Sequence, residues 1–300
     1  MKIIVSGSLG HISKPLTQEL VQKGHQVTVI SSNPERQKAI EALGAKAAIG
    51  TMEDAGFLTE TFKGADAVYL MEKLGPDMFF DQDLDISAAI NKIVNNYKEA
   101  ILQSGIKRVI HLSSVGAHTS KGNGMLAIYH PAENILKQLP DSVSIKFMRP
   151  VGFYYNMFAF IPTIKKQGAI ISNYGATEKE PWVSPLDIAA VIAAEMDLPF
   201  AGREIRYIAS DEVSSNEVAT ILGQAIGQPD LQWRVIPDQQ FLNGLLAAGM
   251  NPQIAKGFTE MNASRVNGVL YEDYYRHQPV LGSVKLKDFA KEFAAVYHQP

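Results

Sequence analysis

Residues 2–13 read KIIVSGSLGHIS. The opening KIIV is a short β-branched run that stops at a serine and a glycine, the pattern of a strand buried on both faces. Gly7 and Gly10 then make a G-x-x-G turn, and Ser13 stands where a third glycine would fall. Glycines in such a turn let the backbone approach a pyrophosphate, which rests on the N–H groups at the start of the next helix. The third position governs helix–strand packing, and a serine is small enough for it. A glycine-rich turn without any ligand satisfies the same pattern, so its meaning depends on the elements after it in the chain.

Those elements alternate. KPLTQELVQKG places Leu16, Leu20 and Val21 at helical spacing and stops at Gly24. QVTVISS is a strand, and NPERQKAIEALG is a helix with Asn33 as its cap, Pro34 at its first position and Gly44 at its end. AKAAIG, ADAVYLM, KRVIHLSS and VSIKFMRP are further strands. DAGFLTETFKG, a long stretch from Phe79 to Ser104, and PAENILKQL are the helices between them. Strands alternating with helices predict right-handed βαβ crossovers and a parallel sheet covered on both faces. After Pro150 the rhythm loosens into FYYNMFAFIPTIKKQG, PLDIAAVIAAEM, EIRYIAS, SSNEVATILGQAIG, DLQWRVIPDQQFLNGLLAAG and KLKDFAKEFAAVYH. The expected architecture is an α/β fold of Rossmann type. A doubly wound parallel sheet over residues 1–150 binds the dinucleotide. A smaller, mostly helical lobe over residues 151–300 binds substrate and is interleaved with the end of the sheet.

Composition narrows the function. The chain has 300 residues, 46% of them apolar and 20% charged, with a net charge of −3. That balance supplies a sizeable core and argues against a nucleic-acid surface, which needs clustered Lys and Arg. The absence of cysteine excludes disulfides, thiolate metal sites and cysteine nucleophiles, and no metal site is expected. No apolar run approaches a membrane span and the first residues do not read as a signal peptide, so a cytoplasmic location is expected.

The cofactor-binding candidates at the turn are Gly7, Ser8, Leu9, Gly10, His11 and Ile12. The end of the second strand should select the cofactor, because an acid there binds a ribose 2′-hydroxyl. Here it reads Ser31, Ser32, Asn33, with Arg36 close by. No acid is present, and Asn33 and Arg36 can meet a 2′-phosphate, which favours NADP over NAD. The plainer alternative is that Ser32 and Asn33 cap the helix and Arg36 is solvated.

Taken in order, the segments KIIVSGSLGHIS, VISSNPERQKAIEALGAKAAIGTMED, FKGADAVYLM, SGIKRVIHLSSVGAH, AENILKQL, IKFMRPVGFYYNM and PLDIAAVIA resemble the NmrA-like branch of the atypical short-chain dehydrogenase/reductase superfamily. That branch includes quinone reductases, triphenylmethane reductases, isoflavone-reductase-like enzymes and proteins that bind NADP without turnover. The resemblance implies that Met71, Glu72, Ser113, Pro150 and Phe153 lie near the ribose and nicotinamide. On the substrate side, His118, Tyr154, Asn156 and Trp182 are the candidates. Two positions depart from the pattern. Ser32 stands where relatives often carry Arg, and Thr51 where they often carry Asp.

In ordinary short-chain dehydrogenases a serine, a tyrosine and a lysine move the proton, the lysine lowering the phenol pKa. Ser114 resembles the serine. The stretch YHPAE (129–133) offers two registers for the pair. If Tyr129 is the tyrosine, Glu133 replaces the lysine and raises the phenol pKa. If Glu133 is the glutamate that often follows the lysine, Tyr129 replaces the lysine and Met125 the tyrosine. The pair is missing in both. Pro131 is tolerated only in a first turn, so the helix is expected to start at His130 or Pro131 with Tyr129 just before it. Ser114 and Tyr129 remain the catalytic candidates. The leading expectation is an NAD(P)H-dependent reductase of quinone-like small-molecule acceptors. The alternatives are a non-catalytic NADP(H)-sensing regulator and, third, a nucleotide-sugar epimerase or dehydratase.

Overall fold

The computed structural model describes residues 1–73, 76–175 and 177–299. The first half supplies strands β1 (Lys2–Val5), β2 (Gln26–Ser31), β3 (Lys46–Ile49), β4 (Ala67–Leu70), β5 (Arg108–Leu112) and β6 (Ser144–Pro150). Between them lie helices α1 (Ser13–Gln22), α2 (Gln37–Glu41), α3 (Ala55–Phe62), α4 (Pro76–Phe80), α5 (Ile86–Ser104) and α6 (Tyr129–Lys137). The second half opens with β7 (Gly152–Phe153), α7 (Ile161–Gln167), β8 (Ala169–Ser172) and β9 (Lys179–Val183). It continues through α8 (Pro185–Asp197), β10 (Arg203–Ile208), β11 (Asp211–Ser214), α9 (Ser215–Ala225) and β12 (Gln232–Val235). Four helices close the chain: α10 (Asp238–Ala247), α11 (Pro252–Val266), α12 (Glu272–His277) and α13 (Leu286–Tyr297).

Seven strands form one sheet in the order β10-β6-β5-β4-β1-β2-β3, and every adjacent pair is parallel. Alternate residues of each strand feed opposite layers, as the pleat requires. Ile3 and Val5 join Leu16, Leu20, Ile188 and Ile192 in the layer under α1 and α8. Ile4, Val68 and Phe147 join Leu58, Ile90, Val94 and Leu136 in the layer under α3, α5 and α6. Each such buried aliphatic contributes roughly 1.5–3 kcal/mol. A third core holds the second half together around Tyr154, Met157, Trp182, Leu222, Phe289 and Phe293. The sheet itself crosses residue 150, because β10 pairs with β6 from Arg203↔Ile145 to Ile208↔Pro150.

Three local expectations change. The long helix from Phe79 to Ser104 is two helices. Asp85 accepts from Ala88 N at 3.0 Å and restarts the helix at Ile86, while Asp83 N turns back onto Asp81 Oδ1. The YHPAE helix starts at Tyr129, one residue earlier than expected, because a 3₁₀ turn over Gly124–Ile128 leads directly into it. Pro131 still falls in the first turn, where its missing N–H costs nothing. Helices α11 and α12 were not legible at all.

The 3₁₀ turn is pinned where it crosses α11. A Cβ on Gly124 would collide with Gly257 O and Met261 N, and Gly124 has φ +54°. Gly124→Ala is therefore expected to destabilise the fold by about 1–3 kcal/mol, read as a lower urea midpoint with an unchanged m-value.

Candidate functional site

The strand order reverses between β1 and β4, which opens a crevice at their carboxyl ends. Ser6 ties the two ends together. Its N–H donates to Tyr69 O at 3.1 Å, and its Oγ accepts from Met71 N at 2.9 Å. The chain then turns through Gly7 (φ +89°) and Ser8 (φ +55°). A Cβ on Gly7 would lie 2.5 Å from Ser13 Oγ and 2.9 Å from Met71 Sδ, so only glycine fits. Ser8 N donates to Ile30 O and its hydroxyl to Ser31 Oγ at 2.9 Å. Ser13, in the third glycine's place, is buried and donates to Ser6 O at 2.8 Å. Leu9, Gly10 and His11 continue the turn. Ile12 precedes α1 and provides no side-chain cap. In the first turn Lys14 N donates to Gly10 O and Leu16 N to Ile12 O, Pro15 has no N–H, and Ser13 N alone makes no hydrogen bond among the described residues.

At the end of β2, Ser31 is buried while Ser32, Asn33 and Arg36 are exposed. Asn33 Oδ1 accepts from Glu35 N at 2.9 Å and caps a 3₁₀ turn over Pro34–Arg36. Arg36 has no ion-pair partner among the described residues.

After β7 a 3₁₀ helix over Tyr154–Phe160 sorts its aromatics by face. Tyr155 stacks on His11 (centroids 4.9 Å, planes 24° apart) and leans on Phe153 at 5.2 Å. Burial pushes the Tyr155 phenol up to about 12. Tyr154 points the other way. It is 1% exposed, stacks on Phe289 and donates to Val284 O. Trp182 is 2% exposed, beneath the Arg265 guanidinium at 5.1 Å. Both belong to the core of the second half and leave no surface for a substrate, which departs from the sequence expectation. The three-residue period of this 3₁₀ helix buries Tyr154 with Met157 and leaves Tyr155 on another face, and which face turns inward is set by the second-half core. Asn156 is exposed. His118 is half-buried on the loop after β5, and burial lowers its pKa. Ser114 is half-buried, and its carbonyl accepts from Ala117 N.

Glu133 is fully buried and saturated with donors. Its Oε1 accepts from Ser113 Oγ at 2.7 Å and Arg149 Nε at 2.8 Å. Its Oε2 accepts from Arg149 Nη2 at 2.7 Å and Lys137 Nζ at 3.0 Å. Burial opposes the charge, but Arg149, Ser113 and Lys137 outweigh it and hold the carboxyl below its ordinary value. Arg149 Nη1 extends the network to Tyr207 OH at 3.1 Å and Asp273 Oδ2 at 3.0 Å. Met125 is buried against Gly257. Tyr129 is half-buried, and its phenol is raised above the ordinary range by burial first, then by the charges of Glu72 and Tyr155.

Sequence reasoning missed His111. Its Nε2 meets Glu72 Oε1 at 2.9 Å, and both side chains are fully buried. Burial lowers the imidazole pKa, but the Glu72 charge and hydrogen bond reverse this and leave it raised. The available signal was a histidine inside the apolar run RVIHL. Pro150 closes β6 at the same edge of the sheet.

The model of the NmrA-like family matches residues 1–273. The chain belongs to the NmrA-like family. Three solved structures share the fold of this NmrA-like protein. A nucleoside-diphosphate-sugar epimerase from Staphylococcus aureus superposes with TM-score 0.78 at 16% identity, covering 97% of this chain and 100% of the other. An NADPH-dependent quinone oxidoreductase from Escherichia coli gives 0.76 at 17% identity, covering 97% and 98%. A triphenylmethane reductase from Citrobacter gives 0.74 at 18%, covering 98% and 100%. At these identities the likeness is one of fold. Among the described residues no helix is long and apolar enough to cross a membrane, and no three His, Cys, Asp or Glu side chains gather to hold a metal ion.

Glu133→Ala strands a buried arginine, and a loss of about 3–5 kcal/mol is expected. Because the folded carboxyl is depressed, its contribution is present above the ordinary carboxylate range and disappears as pH falls through the folded value. Urea midpoints measured against pH should therefore converge for wild type and Glu133→Gln only in acid.

Proposed function

We propose that this NmrA-like protein is an NAD(P)H-dependent reductase, NADPH before NADH, that transfers hydride to a flat conjugated acceptor of quinone type without a Tyr–Lys pair. One observation carries the reading: Glu133, one turn on from Tyr129, is committed to Arg149, and the charge that acts on the buried Tyr129 phenol is the Glu72 carboxylate rather than a cation.

The residues present fit a dinucleotide. Gly7, Ser8 and Gly10 leave the backbone open for the approach of a pyrophosphate, with Ser13 N at the start of α1 as a donor not otherwise used. Exposed Ser32, Asn33 and Arg36 suit a 2′-phosphate and offer no acid to repel it. Met71, Glu72, Ser113, Pro150 and Phe153 would border the ribose and nicotinamide. When bound, the cofactor supplies hydride.

The chain's own groups restrict the chemistry. Tyr129, with a raised pKa, stays protonated at neutral pH and can donate a hydrogen bond but does not become a base. Alcohol oxidation and sugar epimerisation need that base. A conjugated acceptor instead takes hydride when it is well placed and gains its proton from water, so positioning dominates. His11, Phe153 and Tyr155 offer the aromatic surface for such a ring. Two of the fold neighbours are named for quinones and triphenylmethane dyes, which supports the same acceptor class.

NADPH oxidation against a panel of small quinones tests the reading, with NADPH binding followed by fluorescence. Turnover on at least one quinone is expected. Tight NADPH binding with no turnover on any acceptor would replace this reading with a non-catalytic NADP(H) sensor, and failure to bind either dinucleotide would end both. Arg36→Ala should weaken NADPH binding roughly tenfold while leaving NADH unchanged, since the lost contact is one charge-assisted hydrogen bond to phosphate.

A further inference from the structure

We propose that the Glu72 carboxylate, backed by His111, biases the site toward the oxidised dinucleotide and so helps drive hydride out of the cofactor. This rests on the dinucleotide reading above and adds to it a residue that sets the redox balance.

Glu72 lies two residues past β4, on the crevice edge where the strand order reverses. The residue before it, Met71, is bonded to Ser6 and packs where a Gly7 side chain would be. Glu72 is thus one residue from the dinucleotide turn. Its side chain is fully buried, and Oε1 is taken by His111 Nε2. Oε2 is buried and has no hydrogen-bond partner among the described residues.

The groups facing this pair come from five places. Tyr69 on β4, Tyr97 on α5 and Tyr129 on α6 have phenols raised first by burial and then by the Glu72 charge. Tyr97 OH donates to Met71 O at 2.7 Å, so its proton is not available to Glu72. Tyr155 sits beside Tyr129, and Glu133 on α6 adds a second negative charge toward His111. Among these groups His111, on β5, is the only one able to carry a positive charge.

A buried carboxylate with an unmatched oxygen is costly unless a positive group faces it. An oxidised nicotinamide ring carries a delocalised positive charge, and the reduced ring is neutral. The carboxylate therefore stabilises one state of the cofactor and is indifferent to the other, which is a differential affinity. By linkage, the same difference lowers the potential of the bound pair. His111 tempers it, because a protonated imidazole cancels the carboxylate charge while a neutral one leaves it.

The test is the ratio of the dissociation constants for NADPH and NADP⁺, measured by titration calorimetry on wild type and Glu72→Gln. In Glu72→Gln the ratio should move roughly tenfold toward tighter relative binding of NADPH, the scale of one charge at a partly screened distance. Wild type supplies an independent reading. Its ratio should shift toward NADP⁺ as pH rises and His111 loses its proton. The 2′-phosphate of the cofactor titrates equally in both forms and cancels. A ratio within twofold of wild type in a folded Glu72→Gln, or a wild-type ratio that moves toward NADPH as pH rises, overturns the inference while leaving the cofactor reading intact. Wild type that binds neither dinucleotide overturns both.

Discussion

The Arg149–Glu133 pair is the interaction on which the rest of the site depends. It joins β6 to α6, reaches Ser113 at the end of β5, and extends through Tyr207 and Asp273 to β10 and α12. Five elements therefore share one hydrogen-bonded charge cluster at the carboxyl edge of the sheet. A buried ion pair is a poor source of net stability, but its geometry is demanding. Here every lone pair direction of the Glu133 carboxylate is used, so α6 has one position relative to the strands. Tyr129, one turn away on the same helix, is placed by that constraint together with its packing against the core layer under α5 and α6.

The electrostatic character of the crevice is set by the same pair. A site built on Tyr–Lys surrounds a phenol with positive charge and makes it acidic. Here Glu72 stands beside the phenols, and burial first, then that charge, pushes Tyr69, Tyr97 and Tyr129 away from ionisation. Arg149 is consumed by Glu133 and Asp273, and Lys137 by Glu133. The environment is one that welcomes positive charge and resists the formation of further negative charge.

How much of this was legible depends on range in sequence. The βαβ alternation, the turn at Gly7–Gly10 and the cap at Asn33 rest on neighbours a few residues apart, and local patterning exposes them. The break at Asp85 is also local, but it was hidden by continuous helical periodicity on both sides. Helices α11 and α12 carry buried polar residues, such as Asn262 hydrogen-bonded to Asn173 and Asp273 bonded to Tyr207 and Arg149, that only tertiary partners make sensible. Within the site, the absence of a lysine could be read directly. The pairing of His111 with Glu72 spans 39 residues, and the choice of Tyr155 over Tyr154 was set by the face of the 3₁₀ helix over Tyr154–Phe160 that packs on the second-half core. Neither leaves a periodic trace.

The late arrival of β10 has a consequence for how the chain is made. Until residues 203–208 emerge from the ribosome, β6 is an edge strand with its backbone unpaired. Lys146, whose partner Glu195 lies on α8, and Arg149, with Tyr207 and Asp273 still to come, would also lack partners. The first 150 residues cannot finish folding as they are synthesised, and the nascent sheet stays open through another sixty or so residues of translation, a span of several seconds at roughly 5–20 residues per second.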